Sequence, residues 1–524
     1  MLRTLLVLLA LLTAAPANAE WWEAKTDHFI VYSQSSSGEA REFAEKLERF
    51  DMSLRSLQNK QFSPATSDAH RLTVFRSGDI GDIGRLAGSS GVAGFYIPRA
   101  GGSVAFTPAK TGVMNTGVLM SKRPDSRTDL DPQSVLFHEY AHHFMFQHFP
   151  AAYPSWYVEG YAETVATIDF KPDGSFHLGN PPQYRGASFN YINVSLKRML
   201  ASKIKPTGED YYSYYTIGWL LIHYLTFEPS RKGQLVQYLR MINDGIDPAV
   251  AAPKAFGDLD RLNREIHRYR TGQLLGADVR PANYAPPQVT MRKLTEDEEA
   301  IMRVKMRSKR GVDRKLAPDV ARDARAIAAK YPGSFPVYLA LSEAELDLAD
   351  YEPGRLVQAE AAIDRALALN PQSVEAMIYK GRVFLERGQK VKAQLATART
   401  WFAKAHQVDS AHPGVLFYNY LTYYHSGERI PESALIGLER AYDMALFDPE
   451  LRVVLARQLL AEKKGTVARS VLMPLAISPH ESKGAKKMRE VVDLIDAQKV
   501  DAAYSTLAAE MAEQERKRKG SEDD

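Results

Sequence analysis

Residues 131–166 read DPQSVLFHEYAHHFMFQHFPAAYPSWYVEGYAETVA, and this stretch carries the most informative motifs of the chain. Asp131 suits the residue before a helix and Pro132 suits its first position, so a helix is predicted to begin there. Apolar residues stand at 135–137 and again at 144–145. Their periodicity resumes over residues 156–168, which predicts a second helix. Two successive helices therefore carry the ionisable residues of this stretch.

The first helix contains the motif His138-Glu139-Tyr140-Ala141-His142. Positions four apart lie on one face of a helix, so His138 and His142 can present two imidazoles to one metal ion. Zinc lowers the pKa of a bound water to about 7, which makes a carboxylate a sufficient base for it. The motif therefore predicts a zinc site with Glu139 as the general base.

A catalytic zinc needs three protein ligands and an open position, and the sequence offers two residues for the third place. One is Glu159, on the second predicted helix. The other is His148, six residues after His142. A helix cannot present residues 138, 142 and 148 on one face, and Met145 stands where a turn would need glycine. Helix geometry therefore disfavours His148.

The second helix carries the sequence WYVEGYAE over residues 156–163. Together with the H-E-x-x-H motif, this sequence strongly resembles the gluzincin metallopeptidases, in the branch with peptidase MA-like domains. The resemblance extends more loosely over residues 21–270. It implies one zinc ion per chain, Glu159 as the third ligand and Glu163 as a carboxylate that orients a ligand histidine.

Peptide hydrolysis also needs a hydrogen-bond donor for the developing oxyanion. In gluzincins this donor is often a Tyr or His downstream of the Glu ligand, and the tract of residues 211–215 supplies several tyrosines. Tyr215 is the first choice, because it stands one turn before Trp219 on a helix expected to flank the cleft. Tyr214 and His223 are the alternatives.

The gluzincin resemblance further implies an edge strand that aligns an extended substrate by backbone pairing. Val104, Ala105 and Phe106 are expected to form that strand by their position. The aminopeptidases of this clan usually place a glutamate nearby, yet residues 101–110 contain no acidic residue. This difference disfavours an aminopeptidase.

The predicted fold begins with an α+β gluzincin-like catalytic domain over residues 20–280, with a small N-terminal sheet and a helical zinc-binding half. Strands are predicted over residues 29–32, 72–75 and 103–107, and a helix over residues 39–57. Three prolines in RPANYAPPQ, residues 280–288, favour an extended segment. We therefore expect a linker over residues 281–315.

Residues 316–500 are predicted to form an all-α, tetratricopeptide-like solenoid of roughly four helix pairs. Ala359, Ile363, Ala366 and Pro371 recur at the spacing of the second helix of such a unit. Two roles stay open for this region: a concave face that binds a peptide or a protein partner, or packing on the catalytic domain. The charged residues 501–524 are expected to form a tail.

The N-terminus resembles an export signal. Residues 1–19 carry one early positive charge, an apolar run and small residues ending in Ala17-Asn18-Ala19. The run is shorter than the ~20 residues that cross a bilayer, so no transmembrane segment is expected in the mature chain. Cysteine is absent, so a metal must use His, Asp or Glu. We expect a periplasmic or secreted protein.

The formal net charge of +4 is too small to indicate a nucleic-acid partner. The sequence therefore predicts an exported zinc-dependent peptidase, expected to be an endopeptidase acting on polypeptide. The alternative is a periplasmic scaffold that binds peptides or proteins and retains a vestigial zinc site.

Overall fold

The computed structural model describes residues 20–89, 92–110, 112–113, 129–130, 132–183, 195–201, 210–282, 284–477 and 483–519. In these residues a mixed sheet with helices is followed by many consecutive packed helices. This confirms the predicted order of an α+β part and a helical part. The predicted export signal and Asp131 lie outside the described residues. No helix in the described ranges is long and apolar enough to cross a membrane.

The strands are β1 (Trp21–Lys25), β2 (Phe29–Gln34), β3 (Leu72–Arg76), β4 (Phe95–Ile97), β5 (Val104–Thr107), β6 (Gly112–Val113), β7 (Asp129–Leu130), β8 (Asp169–Phe170), β9 (Phe176–Leu178), β10 (Ala277–Val279) and β11 (Thr290–Lys293). The helices of the N-terminal part are α1 (Ser37–Leu57), α2 (Ile80–Ala87), α3 (Pro132–His148), α4 (Ser155–Ala166), α5 (Leu196–Ala201), α6 (Asp210–Phe227), α7 (Gln234–Asn243), α8 (Pro248–Phe256) and α9 (Leu259–Tyr269).

The later helices are α10 (Glu296–Arg310), α11 (Ala317–Lys330), α12 (Phe335–Ala349), α13 (Leu356–Leu369), α14 (Val374–Lys390), α15 (Gln394–Val408), α16 (Pro413–Ser426), α17 (Glu432–Met444), α18 (Pro449–Ala461), α19 (Gly465–Ala476), α20 (Lys483–Asp496) and α21 (Val500–Lys519). Glycine permits close packing between two of them. A Cβ atom on Gly381 of α14 would lie 2.4 Å from the ring of Phe402 on α15. Residues 501–519, expected as a charged tail, continue this array as α21.

The main sheet has the strand order β11-β1-β2-β3-β5-β4. Strands β2, β3 and β5 are parallel, while β4 and β11 lie antiparallel at the two edges. The prediction that Val104, Ala105 and Phe106 form an edge strand is therefore wrong. Val104 lies opposite Thr73 of β3 on one side and Ile97 of β4 on the other. Both sides of β5 are paired, so its backbone has no free edge for a substrate.

The segment expected as a linker contributes to the N-terminal fold. Strand β11 pairs with β1, with Lys293 opposite Trp22. Helix α10 follows, and its Met302 packs in a buried cluster with Trp21 and Phe75. A chain cut near residue 280 would therefore lose an edge strand and a helix that covers the sheet.

Helices α1 and α3 pack on the sheet and on each other. The rings of Phe50 on α1 and Phe137 on α3 stack with centroids 4.0 Å apart. Phe137 and Phe144 of α3 are buried with Val31 of β2 in the largest core cluster. These contacts use one face of α3, which leaves His138 and His142 on the side toward α4.

A buried charged cluster links α3 to α1. His28 Nδ1 lies 2.5 Å from Glu48 Oε1 and 3.4 Å from Asp51 Oδ2. Arg55 Nε donates to Asp51 at 2.5 Å. Tyr140, within the H-E-x-x-H motif, donates its hydroxyl to Asp51 Oδ1 at 2.7 Å. The cluster therefore holds the motif-bearing turn of α3 against α1.

The hydrogen bonds of this cluster indicate that His28 is positively charged. Its Nε2 lies 2.9 Å from the carbonyl oxygen of Ser63, which can only accept, so Nε2 carries a proton. Its Nδ1 faces two carboxylates and must carry a proton as well. Burial lowers the pKa of His28, but Asp51 and Glu48 outweigh it and raise that pKa above its ordinary value. Two protein cations, His28 and Arg55, thus balance two carboxylates.

Helices α4 and α6 touch through their backbones at two glycines. A Cβ atom on Gly160 of α4 would lie 2.4 Å from the carbonyl carbon of Gly218 on α6. A Cβ atom on Gly218 would lie 2.6 Å from the carbonyl oxygen of Trp156. Only glycine permits this approach, which sets the position of α4 and of the adjacent Glu159.

Replacing His28 by glutamine tests the buried cluster. The folded pKa of His28 lies above the unfolded value of about 6.5. The stability that charged His28 contributes is therefore fully present below the unfolded value and is lost as the pH rises through the folded pKa. We expect His28→Gln to lower the free energy of unfolding by about 3–5 kcal/mol near pH 6, because buried carboxylates lose a cation. Urea unfolding at increasing pH should show the difference from wild type narrowing.

His267→Gln, on α9 and away from the cluster, is the matched control, and it should change the free energy of unfolding little at any pH. A His28→Gln difference that stays constant from about pH 6 to about pH 9 would contradict a charged, buried His28.

Replacing Gly160 by alanine tests the helix contact. The methyl group would meet backbone, so we expect a loss of about 1–3 kcal/mol in the free energy of unfolding. The same change at Gly38 of α1, where no atom lies within 4 Å of the added carbon, should instead stabilise by about 0.5–1 kcal/mol. Thermal unfolding of both variants measures the difference, and equal effects would refute the close contact.

Candidate metal centre

Three side chains from α3 and α4 converge on one point. His138 Nε2 lies 3.0 Å from His142 Nε2 and 3.2 Å from Glu159 Oε2. His142 Nε2 lies 3.5 Å from Glu159 Oε2. A tetrahedral zinc ion with bonds of about 2.0–2.1 Å holds its ligand atoms about 3.3–3.4 Å apart. The spacing of the three donor atoms therefore fits one such ion.

The two helices place these donors in different ways. His138 and His142 are one turn apart on α3, so their rings lie on the same face with centroids 4.7 Å apart. Glu159 comes from α4 and is buried, with 1% of its side chain exposed. The histidine side chains are more exposed than Glu159, at 12% and 13%.

Glu163 lies one turn beyond Glu159 on α4 and faces the Nδ1 side of the His138 ring. Its Oε1 is 3.4 Å from His138 Nδ1, and its side chain is 1% exposed. A proton on Nδ1 that points to this carboxylate leaves Nε2 directed at the centre. The gluzincin resemblance implies this orienting role for Glu163, and the role stays a prediction. His142 Nδ1 is buried and has no hydrogen-bond partner among the described residues.

The centre favours positive charge. Burial lowers the pKa of His138, but hydrogen bonds to Glu159 and Glu163 outweigh it and raise that pKa to about 10. Burial raises the pKa of Glu159, yet hydrogen bonds from His138 and His142 hold it well below its ordinary value. A proton on His138 thus stands where a bound cation would balance the same carboxylates. Donor type and charge both fit a divalent metal.

The other two histidines of α3, His143 and the alternative ligand His148, make other contacts. The ring of His148 packs on Phe144 with centroids 4.4 Å apart, and burial lowers its pKa to about 4. His143 Nδ1 lies 2.6 Å from the hydroxyl of Tyr96 on β4. Of the two donor groups in the described residues that are close enough to hold an ion, the one that includes α3 residues consists of His138, His142 and Glu159. The structure therefore groups Glu159, and neither of these histidines, with the H-E-x-x-H pair.

The residues expected to act on a substrate stand around this group. Glu139 is partly exposed beside His138 on α3. Tyr215 on α6 is 6% exposed, and its ring centroid is 6.1 Å from that of His138. Both His223 nitrogens are engaged, with Gly179 O at 3.0 Å and Tyr269 OH at 2.8 Å. Of the three proposed oxyanion donors, Tyr215 is therefore better placed than His223, and its role stays a prediction.

Sequence reasoning missed two supports of the centre. One is Gly218, which allows α4 to approach α6. A glycine inside a helix costs about 0.5–1 kcal/mol relative to alanine, so its presence in an apolar helix was the available signal. The other is Asp51, which holds Tyr140. The sequence gives no indication of this contact, because the partners of Asp51, His28 and Tyr140, are distant from it in the chain.

Comparison with known proteins adds no identification: no protein-family profile matches the chain, and no curated protein matches it significantly. The interpretation of the centre therefore depends on its motifs and its geometry.

Proposed function

We propose that the chain is an exported zinc-dependent peptidase that hydrolyses peptide bonds and acts as an endopeptidase. The convergence of His138 Nε2, His142 Nε2 and Glu159 Oε2 within 3.5 Å of one another is the observation that carries this proposal. Two neutral imidazoles and one carboxylate are a ligand set typical of catalytic zinc in peptidases, which leaves a fourth position open.

The surrounding residues of the chain have distinct roles in this proposal. Zinc bound here would supply a water molecule with a pKa near 7. Glu139, next to the ligand His138 on α3, would serve as the general base in that chemistry and as the proton donor to the leaving amine. Glu163 keeps His138 in the tautomer that faces the centre. Tyr215 donates its hydroxyl hydrogen to the oxygen on which negative charge develops.

The edge of the main sheet is the proposed binding place for an extended substrate. No strand of the described residues pairs with the outer side of β4. Tyr96 in the middle of β4 bonds His143, the neighbour of His142, so this edge runs close to α3. Backbone pairing along such an edge suits the middle of a polypeptide, which supports an endopeptidase. Neither β4 nor β5 carries an acidic residue to bind a substrate amino terminus.

The consecutive helices after residue 316 are compatible with the proposed tetratricopeptide-like solenoid. Small buried residues recur where the sequence predicts them, with Ala359, Ile363 and Ala366 of α13 all fully buried. A protein partner on these helices and a periplasmic or secreted location remain parts of the proposal.

Metal analysis of the purified protein tests the ligand set. Wild type dialysed against zinc should hold one ion per chain, while Glu159→Gln or His142→Ala should lose most of it, because three ligands are needed. His148→Ala is the matched control and should keep its zinc. Loss of zinc from His148→Ala, with retention in Glu159→Gln, would overturn the assignment.

Replacing Glu139 by glutamine separates catalysis from metal binding. The change removes the general base while keeping its shape, so we expect the hydrolysis rate to fall by about 10²–10⁴. Zinc content and melting temperature should match wild type, because no ligand is changed. Tyr215→Phe should give a smaller loss through one missing donor. A zinc-loaded wild type that cleaves nothing in a broad peptide library would leave the binding scaffold as the better interpretation.

A further inference from the structure

A connecting turn between two of the C-terminal helices lies directly against α3, which carries two donors of the metal centre. Residues 445–448 connect α17 to α18. Phe447 in this turn packs on His143 of α3, with ring centroids 4.5 Å apart. Gln147 of α3 donates from Nε2 to the carbonyl oxygen of Met444 at 3.3 Å. The C-terminal helices therefore touch the ligand-bearing helix itself.

The same turn is anchored on the sheet. Asp448 accepts a hydrogen bond from the backbone nitrogen of Ala100 at 2.6 Å, in the loop between β4 and β5. Phe447 also packs against the buried core that α16–α21 form together with Ala100. Its ring thus bridges the core of the C-terminal helices and a side chain of α3.

His143 is the residue of α3 on which Phe447 packs, and it adjoins His142 in the chain. Its ring is held between Tyr96 of β4, whose hydroxyl lies 2.6 Å away, and Phe447. It also lies 5.6 Å, centroid to centroid, from Tyr140, which is tied to α1 through Asp51. Since His142 is the next residue along the backbone, a shift of His143 displaces a ligand.

A second turn provides an internal comparison. Asp409, between α15 and α16, accepts a hydrogen bond from Ser67 at 2.5 Å. This contact joins the same helical array to the N-terminal part, but at the short helix of residues 68–70 and away from α3. The two contacts therefore separate a general effect of the interface from an effect on the centre.

We propose that Phe447 is a positioning residue for the metal centre: by packing on His143 it holds α3 where His138 and His142 meet Glu159. The inference rests on the proposed function, because it concerns the same zinc site. Functional sites require their groups to be held within about 0.5 Å, and a displacement of about 1 Å by a remote change can cost about 100-fold in rate. Removing the ring opens space into which α3 can move.

The test uses full-length Phe447→Ala, with Phe447→Tyr as the conservative variant and Asp409→Asn as the matched control. Two readouts are needed: the zinc dissociation constant by chelator competition, and kcat and KM on a peptide that wild type cleaves. Phe447→Ala should raise the dissociation constant about tenfold and lower kcat about 10–100-fold, with little change in KM. Phe447→Tyr keeps the ring and should have the zinc dissociation constant and the kcat of wild type. Asp409→Asn should leave both quantities unchanged.

The outcomes separate the two proposals. A folded Phe447→Ala with the zinc affinity and kcat of wild type would refute the positioning role alone. Equal weakening by Asp409→Asn would also refute it, in favour of a general interface effect. Should Phe447→Ala fail to fold, Gln147→Ala removes a milder contact of the same turn, and an unchanged zinc affinity there counts against the role. A wild type that binds no zinc refutes the proposed function itself.

Discussion

Three donor atoms on two separate helices can meet at one point only if both helices are held in place to within a fraction of an ångström. Several contacts of the N-terminal part meet this constraint on α3 and α4. The sheet and α1 hold α3 through Phe137 and through the bond from Tyr140 to Asp51. The two glycines hold α4 against α6. The turn at Phe447 contacts α3 at His143.

Two buried clusters of histidines and carboxylates occur in the described residues, and they differ in how charge is balanced. In the first, the pKa of Asp51 stays below its ordinary value despite burial, because His28 and Arg55 are cations of the chain. In the second, Glu159 is stabilised by His138 and His142. Histidines give up their protons when a metal binds, whereas arginine cannot. The first cluster is therefore suited to stabilising the fold and the second to holding an ion.

The parts of the centre that could be predicted from the sequence depend on local geometry. The spacing of His138 and His142 determines their common face once a helix forms, and Glu159 and Glu163 share a face of the next helix for the same reason. The sheet was less predictable, because strand order depends on pairing between distant segments. Strand β4 has three residues, Phe95–Ile97, too few to show the alternation that predicts a strand, so the sequence does not reveal that β4 pairs with β5. Strand β11 is polar and mostly exposed, and only its pairing with β1 reveals it.

Anomalous diffraction at the zinc edge, from crystals of the zinc-loaded protein, tests the ligand set proposed for α3 and α4. We expect a single strong peak within about 2.0–2.2 Å of His138 Nε2, His142 Nε2 and a carboxylate oxygen of Glu159. A peak beside His28 and Glu48, a peak coordinated by His148, or no peak at the H-E-x-x-H helix would contradict it.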